Sequence, residues 1–203
     1  MAKDKGLDLM EIYDEGQRRL EEKISILNDN PDIKFADFGT RRHFSLRWQD
    51  HVISELLAKC PENILGTSNV ALAHKYGVKP IGTFAHEMPM TYAGIADANA
   101  ENIRESHNEM LSDWYDQYGN DLSIALTDTF GSDFFFEDFT KEQAENWRGL
   151  RQDSGDPYDF GEKAINFYLA KGIDPATKTI VFSDGLDIDE IVKLHEYFKE
   201  KVN

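Results

Sequence analysis

The sequence predicts an α/β fold with parallel strands in about six strand-and-helix units. β-prone apolar runs alternate with amphipathic helical segments, which is typical of parallel strands joined by crossover helices. Each of six such runs also ends in a short polar or charged cluster. Because the C-terminal ends of parallel strands lie on one face, these clusters are expected to converge and build a site, which favours an enzyme.

The first half of the chain begins with a helical pattern and continues as strand and helix in turn. Residues 7–28 place apolar side chains on one stripe between charged ones, which indicates an amphipathic surface helix. We separate this part, residues 1–32, from an α/β region at 33–203. Within that region the pattern predicts strands at 33–38, 63–66 and 79–84, and helices at 45–59 and 69–76.

The second half continues the alternation. It predicts a long helix at 97–118 and strands at 122–126, 147–151 and 179–182. Thr140 with Gln143 three residues later is the pattern of a capping box, which starts a short helix. Asp156-Pro157 predicts the start of a helix that ends at Gly172, and Asp187 with Glu190 predicts the cap of the final helix.

The strand pattern is compatible with an open doubly wound sheet or with an incomplete barrel, and it does not decide between them. A closed eight-unit barrel usually takes about 250 residues, so 203 residues are short for one. The sequence has neither G-x-G-x-x-G after the first strand nor G-x-x-x-x-G-K-[ST], the loops that signal open-sheet nucleotide-binding proteins. The absence of these loops favours the barrel.

Composition and charge exclude several functional classes. The net charge of −16 disfavours nucleic acids and anionic membrane surfaces, which are bound largely through basic residues. The sequence has no apolar run near eighteen residues and no apolar signal-peptide core at its start, so we expect a cytoplasmic protein without a membrane span. Cys60 is the only cysteine, which excludes an internal disulfide.

The candidate functional residues lie in the polar clusters at the strand ends. An anionic substrate of such an acidic protein needs local cations, and Arg41, Arg42 and Arg151 supply them at two strand ends. The clusters are Phe38-Gly39-Thr40-Arg41-Arg42, Gly66-Thr67-Ser68-Asn69, Gly82-Thr83-Phe84-Ala85-His86-Glu87, Thr127-Asp128-Thr129, Arg151-Gln152-Asp153-Ser154-Gly155-Asp156-Pro157 and Ser183-Asp184-Gly185.

All of these clusters except the Asp128 one resemble, in order and spacing, the successive motifs of the nicotinate phosphoribosyltransferase family. The resemblance covers about residues 33–203. It implies a partial (β/α) barrel of the type II phosphoribosyltransferase kind and a homodimer. It further implies that nicotinate and phosphoribosyl pyrophosphate are converted to nicotinate mononucleotide and pyrophosphate, with coupled ATP hydrolysis and Mg²⁺, in NAD salvage.

The resemblance also implies roles for residues that would contact the pyridine acid. Phe38 would stack on the pyridine ring, and the hydroxyls of Thr67 and Ser68 would lie near its carboxylate. Relatives that use nicotinamide carry an aspartate at or near this position, so its absence here favours the acid as the substrate.

A second set of implied roles concerns the phosphoribosyl group. Arg41 and Arg151 would make bidentate contacts to its phosphates. Asp128, Asp153 and Asp184 would hold ribose hydroxyls, and Asp153 and Asp184 are also candidate Mg²⁺ ligands. Ser183 and Gly185, which flank Asp184, are predicted to bind substrate with it.

His86 is the residue with the largest implied role. In the family that this sequence resembles, the histidine of the motif corresponding to Ala85-His86-Glu87 is phosphorylated by ATP. A neutral imidazole nitrogen is a competent phosphoryl acceptor near pH 7, and a carboxylate such as Glu87 can orient its tautomer. Taken alone, a single histidine would be read as a structural hydrogen-bonding residue.

The sequence also departs from the family pattern. Members carry a further domain before the first motif and a glycine-rich loop after the last, and they usually have a third arginine where His43 stands. We therefore expect a fragment whose unpaired strand edges make it marginally stable or prone to associate. Two alternatives stay open, namely a non-catalytic piece that needs a complementary chain and a different phosphate-handling barrel enzyme.

Overall fold

The structure, a computed structural model, describes residues 8–203. Along this part of the chain, helices and parallel strands alternate. The chain divides into two compact units, one ending at Ile81 and the other beginning at Gly82. Each unit contains a three-stranded parallel sheet with its strands in chain order. The predicted α/β class and the six predicted strands are confirmed.

The first unit is built from helices that cover a small sheet. Its first two helices, α1 (Leu9–Asp29) and α2 (Leu46–Lys59), begin at capping side chains, because Asp8 accepts from the Met10 N–H and Ser45 from the Trp48 N–H. The buried side chains of α1 are Leu20, Ile24 and Leu27. The elements are α1 (Leu9–Asp29), β1 (Phe35–Asp37), α2 (Leu46–Lys59), β2 (Ile64–Thr67), α3 (Val70–Tyr76) and β3 (Lys79–Pro80), with a 3₁₀ turn at Gly39–Arg41.

The second unit has a larger aromatic core around its sheet. In that sheet the central strand β5 (Gly149–Gln152) pairs with β4 (Ile124–Leu126) on one side and with β6 (Thr179–Phe182) on the other. Its fully buried side chains include Phe135, Phe139, Trp147, Leu150 and Tyr168. The elements are α4 (Glu87–Ala98), α5 (Ile103–Tyr118), β4 (Ile124–Leu126), α6 (Ser132–Asp138), α7 (Lys141–Asn146), β5 (Gly149–Gln152), α8 (Pro157–Ala170), β6 (Thr179–Phe182) and α9 (Ile188–Phe198).

At Gly149 the main chain of β5 lies close to that of β6. A Cβ atom at this position would lie 1.8 Å from the carbonyl oxygen of Thr179, its partner in the strand pairing. No real Cβ contact is that short, so the pairing requires a glycine at the start of β5.

A buried histidine joins α5 to α6 away from the strand ends. The His107 Nδ1 donates to Asp138 Oδ2 at 2.8 Å, and the Asn108 amide donates to the same oxygen. The imidazole lies against the rings of Phe134 and Phe135. Burial lowers the pKa of His107, and the neighbouring carboxylate offsets only part of this effect.

Most predicted elements are confirmed, including the Thr140 capping box and the Asp187 cap of α9. The helix predicted at 97–118 is wrong in its first turn, because the chain turns at Asn99–Glu101 and a new helix starts after the cap residue Asn102. The third strand is shorter than predicted and ends at Pro80, although the Ile81 N–H still donates to the Thr67 carbonyl oxygen. The helices α4 and α6 were not predicted.

Among residues 8–203, no helix is both long enough and apolar enough to span a membrane. The start of the first predicted helix, residue 7, lies outside the described residues. The proposed division at residues 32 and 33 stays a prediction.

Candidate active site

In the second unit, the three strands end beside one another. Leu126 of β4 pairs with Arg151 of β5, and Gln152 of β5 pairs with Phe182 of β6. The residues that follow, Asp128, Asp153 and Ser183, therefore leave the sheet at the same edge. The parallel register thus brings together side chains that are 25 to 55 positions apart in the chain.

Arg151 is the central cation of this edge. Its side chain is only 14% exposed. The guanidinium donates from Nη2 to Asp153 Oδ1 at 2.7 Å, from Nε to Ser183 Oγ at 2.9 Å and from Nη1 to Thr83 Oγ1 at 2.9 Å. All three of its nitrogens are therefore engaged, and the planar group is held in one orientation.

Asp153 is held as a carboxylate by these contacts. Burial by itself would raise the pKa of Asp153. The hydrogen bond from Ser183, the charge and hydrogen bond of Arg151 and the contact with His86 together outweigh burial, so that the pKa lies below its ordinary value. Asp153 is therefore negatively charged at neutral pH.

His86 lies immediately before α4 and faces this carboxylate. Its Nε2 is 3.2 Å from Asp153 Oδ2, and its Nδ1 is 3.1 Å from Thr129 Oγ1. The carboxylate oxygen can only accept, so it favours the tautomer with the proton on Nε2. That tautomer leaves a lone pair on Nδ1, which the Thr129 hydroxyl can hydrogen bond.

Asp128 contributes a second carboxylate. Its side chain is 9% exposed, and Oδ1 is 3.9 Å from His86 Nδ1. Asp128 Oδ2 accepts a short hydrogen bond from the Ser154 hydroxyl, whereas Oδ1 is buried without a hydrogen-bond partner among the described residues. An unpaired buried carboxylate oxygen is costly, which makes it a candidate acceptor for a ligand hydroxyl.

The loop after β5 is fixed by its own side chains. The Gln152 amide donates to the carbonyl oxygens of Ser154 and Gly155 at 3.1 and 2.9 Å. Asp156 caps α8 by accepting from the N–H groups of Tyr158 and Asp159. The segment that carries Asp153 therefore has a defined conformation between β5 and α8.

The first unit holds a second strand-end cluster. Phe38 is 39% exposed at the end of β1, and Arg41 is exposed in the 3₁₀ turn that follows. Ser68 Oγ lies 3.1 Å from Thr40 Oγ1. Thr67 is fully buried and donates its hydroxyl to Asp37 Oδ2 at 2.7 Å, so its predicted partner, a substrate carboxylate, would compete with Asp37.

The remaining predicted site residues are exposed on the protein surface. Glu87 is exposed in the first turn of α4, and the carboxylate that contacts the His86 ring is Asp153. Asp184 and Gly185 are exposed after β6, where Gly185 has φ +58°. The roles of these residues stay predictions.

The predicted Mg²⁺ ligands do not form a protein-only site. No group of three or more His, Cys, Asp or Glu side chains within residues 8–203 could hold a metal ion. Both oxygens of Asp153 already contact protein donors, from Arg151, Ser183 and His86. Mg²⁺ is commonly bound by one or two carboxylates together with substrate phosphates, and Asp184 and Asp128 are the carboxylates that could serve in that way.

Sequence reasoning missed several residues that shape the two clusters. Thr83, Thr129 and Ser154 lie within the polar clusters at the strand ends, so their position could have singled them out. Gln49 could not have been found in this way, because it comes from the first turn of α2 and gave no sequence signal.

Comparisons with known proteins agree with the motif pattern. The model of the nicotinate phosphoribosyltransferase (NAPRTase) family matches residues 33–203. The nicotinate phosphoribosyltransferase of Neisseria meningitidis serogroup C is 43% identical over 203 residues, which cover 96% of this chain and 50% of the relative. That of Chromobacterium violaceum is 43% identical over 205 residues, with 97% and 50% covered. The chain thus spans about half the length of the curated relatives it matches.

Solved structures show the same similarity in three dimensions. The nicotinate phosphoribosyltransferase of Porphyromonas gingivalis superposes with a TM-score of 0.89 at 31% identity, covering 100% of this chain and 50% of that one. A putative nicotinate phosphoribosyltransferase of Saccharomyces cerevisiae gives a TM-score of 0.80 at 34% identity, with 91% and 45% covered. The predicted similarity in fold is therefore confirmed.

Proposed function

We propose that this protein, whose chain belongs to the nicotinate phosphoribosyltransferase family, catalyses the formation of nicotinate mononucleotide. In this reaction the pyridine nitrogen of nicotinate attacks the anomeric carbon of phosphoribosyl pyrophosphate. The bond from that carbon to pyrophosphate breaks, so nicotinate mononucleotide and pyrophosphate are the products. Catalysis requires that the leaving pyrophosphate is neutralised, the ribose is oriented and the flat acid is held in line.

The observation that carries the proposal is the polar cluster at the strand ends of the second unit. Residues from separate family motifs, His86, Arg151, Asp153 and Ser183, lie within hydrogen-bonding distance of one another there. Arg151 supplies positive charge for a phosphate or carboxylate. Asp128, with its unpaired oxygen, and Asp153 are suited to accept from ribose hydroxyls.

His86 is the proposed acceptor of a phosphoryl group from ATP. Its Nδ1 would attack the γ-phosphorus, the bond to ADP would break, and the Nε2 proton would stay hydrogen bonded to Asp153. Hydrolysis of the phosphohistidine would then return the free imidazole and phosphate. The 3.2 Å contact between Nε2 and Asp153 supports this assignment, because it stabilises the positive charge that builds on the ring.

The first unit supplies the proposed contacts to nicotinate. The ring of Phe38, which is 39% exposed, is proposed to stack on the pyridine ring, while Ser68 and Thr67 are the hydroxyl groups proposed for the carboxylate. Arg41 adds a cation at the same strand end. A site built to bind a charged carboxylate should reject the neutral amide, since its polar groups would be left unpaired.

Further parts of the proposal concern the setting of the reaction. Dependence on Mg²⁺ and ATP and assembly as a homodimer rest on the resemblance of the motifs. A cytoplasmic location rests on the composition. Mg²⁺ would supply charge neutralisation at the phosphates when bound.

The experiment that tests this function is a direct assay. The purified protein is mixed with phosphoribosyl pyrophosphate, Mg²⁺ and either nicotinate or nicotinamide, with and without ATP, and products are separated by chromatography. We expect nicotinate mononucleotide, more of it with ATP, and a preference for nicotinate of at least about a hundredfold. No mononucleotide under any of these conditions, or equal use of both acceptors, would contradict the proposal.

The role of His86 has its own readout. Incubation with ATP labelled at the γ-phosphate should give an acid-labile label on the protein. His86→Ala should remove that label, whereas His74→Ala, a change at an exposed histidine of α3, should retain it. A label that persists in the His86 variant would contradict this part of the proposal.

A further inference from the structure

A polar network lies beneath the strand-end cluster of the first unit. Asp37, at the end of β1, accepts from Gln49 Nε2 at 2.9 Å, from Thr67 Oγ1 at 2.7 Å and from the Gly39 N–H at 3.1 Å. Asn69 extends the network by donating to Gln49 Oε1 at 3.0 Å. Gln49 is 3% exposed and Thr67 is fully buried, whereas Asp37 is half-buried, so the partners of Asp37 are more shielded from water than its own carboxylate.

The partners of Asp37 come from different segments of the unit. Gln49 belongs to α2, Thr67 ends β2, and Gly39 begins the 3₁₀ turn. In addition, the Asp37 carbonyl oxygen accepts from the Ser68 N–H at 2.8 Å. One residue therefore fastens the two strand ends to each other and to the helix behind them.

The turn that follows β1 approaches the Asp37 carboxylate closely. A Cβ atom at Gly39 would lie 2.8 Å from Asp37 Oδ1 and 3.5 Å from Gln49 Nε2. The turn that follows β1 can approach the carboxylate only because position 39 has no side chain. The hydrogen bond from the Gly39 N–H couples the position of this turn to that of the carboxylate.

We propose that Asp37 and Gln49 are positioning residues for the pyridine acid. They hold Phe38, the 3₁₀ turn and Ser68 in the arrangement that receives nicotinate, without touching the ligand themselves. The inference rests on the proposed function, which assigns Phe38 and Ser68 to nicotinate. Gln49 acts through Asp37, because its amide is the donor that orients the carboxylate from the helix side.

The test uses Gln49→Leu, which removes both hydrogen bonds of Gln49 and keeps a side chain of similar size. Calorimetric titration with nicotinate gives the Kd and the stoichiometry separately. We expect the Kd to rise at least about tenfold with the stoichiometry unchanged, since displaced binding groups lose their geometry. Hydrogen exchange at the Gly39 and Ser68 amides should become faster in the same variant without ligand.

Two further variants keep the test decisive. Ile53→Val removes a buried methyl group from the same helix without reaching Asp37, and it should leave the Kd and both exchange rates unchanged. Asp37→Asn keeps the size of the side chain but places an amide where an acceptor is needed. It replaces Gln49→Leu if that protein does not fold, and the same rise in Kd is expected.

The outcomes separate this inference from the proposed function. A folded Gln49→Leu or Asp37→Asn protein with the wild-type Kd would overturn the inference, as would a lower stoichiometry alone, which reports a purely structural role. A wild-type protein that does not bind nicotinate would contradict the proposed function instead. In that event faster exchange at Gly39 and Ser68 would show only that Gln49 and Asp37 hold these two segments, and unchanged exchange would overturn the inference as well.

Discussion

Asp153 divides its two oxygens between a guanidinium and an imidazole. Oδ1 contacts Arg151 and Ser183, and Oδ2 faces His86. The carboxylate thereby determines both the orientation of the cation and the tautomer of the proposed phosphoryl acceptor. Two residues with separate roles consequently depend on one side chain.

Asp153→Asn should lower the free energy of unfolding by about 1–3 kcal/mol at pH 7, because Arg151 loses a charged acceptor. The pKa of Asp153 is lowered in the folded state, so its stabilisation is fully present above the unfolded pKa of about 3.9. It is lost as the pH falls through the folded pKa. Urea unfolding between about pH 7 and pH 3 should therefore show the two proteins converging.

The control for this prediction is Asp116→Asn, which removes the same charge from an exposed position of α5. That variant should differ from the wild type by less than about 0.5 kcal/mol at every pH. A constant difference between Asp153→Asn and the wild type down to pH 3 would show that the charge of Asp153 is not what stabilises the site.

His107 makes a second pH-dependent contribution, with the sign set by burial. Its pKa is lowered in the folded state, so its neutral form is fully favoured above the unfolded pKa of about 6.5. The free energy of unfolding should fall as the pH decreases below that value, by up to about 1.4 kcal/mol per pH unit. His107→Asn, which keeps an N–H donor near Asp138 but does not titrate, should flatten this slope in urea unfolding.

His74→Asn serves as the matched change, because His74 is exposed on α3. It should leave the slope between about pH 6.5 and pH 5 unaltered. Equal slopes for the wild type and His107→Asn would mean that other groups carry the pH dependence of stability.

At the scale of elements, the sequence predicted what depends on local signals. The caps at Thr140, Asp156 and Asp187 were confirmed, since each is a short-range interaction of a side chain with the next turn. The helix α4 was missed because its segment contains Pro89 and Gly94 and shows no clear alternation of apolar and polar faces. The local sequence pattern therefore predicted where capped helices begin, but it did not predict the existence of the apolar helix α4.

The candidate site was predictable to a similar extent. The predicted strand ends indicated that Asp128, Arg151 and Ser183 lie close together, since parallel pairing places residues at the strand ends along one edge of the sheet. The pairing of His86 with Asp153 was not predicted, and neither was the link from Gln49 to Asp37. These contacts join residues 67 and 12 positions apart, and their partners are selected only by the folded geometry.

Gly149→Ala should destabilise the second unit severely. The added Cβ would meet the main-chain carbonyl of Thr179, and a main-chain atom in a paired strand cannot move aside as a side chain can. We expect a loss of about 3 kcal/mol or more in the free energy of unfolding, measured by denaturant titration.

Gly94→Ala provides the opposite case. Gly94 is exposed in α4, and within residues 8–203 a Cβ there would meet no atom within 4 Å beyond its chain neighbours and the main chain of its own helix. It should stabilise the protein by about 0.5–1 kcal/mol, because alanine is the better helix former. A neutral effect of Gly149→Ala would show that β5 and β6 can separate without cost.

At the scale of the whole molecule, net charge is the dominant electrostatic property. With 38 acidic and 22 basic side chains, the excess negative charges within the folded chain repel one another at neutral pH. Salt screens this repulsion, since the Debye length falls from about 30 Å at 0.01 M to about 8 Å at 0.15 M. Raising NaCl across that range should increase the thermal midpoint by about 2–4 °C for each kcal/mol of repulsion relieved.

The same scan near pH 4.7, the isoelectric point calculated from the sequence, is the comparison. There the net charge is close to zero, so salt should have little effect on the midpoint. A midpoint that falls with added salt at pH 7 would mean that surface ion pairs outweigh the overall repulsion.

The loop between β5 and α8 has a consequence for how tightly a ligand can be bound. Its conformation is already set by the Gln152 amide and the Asp156 cap. Ordering the backbone of a free residue costs about 1–2 kcal/mol of conformational entropy. A loop that is already ordered does not incur this entropic cost when a ligand binds. The affinity for a ligand at this strand end therefore reflects the free energy of the contacts, without a penalty for ordering the loop.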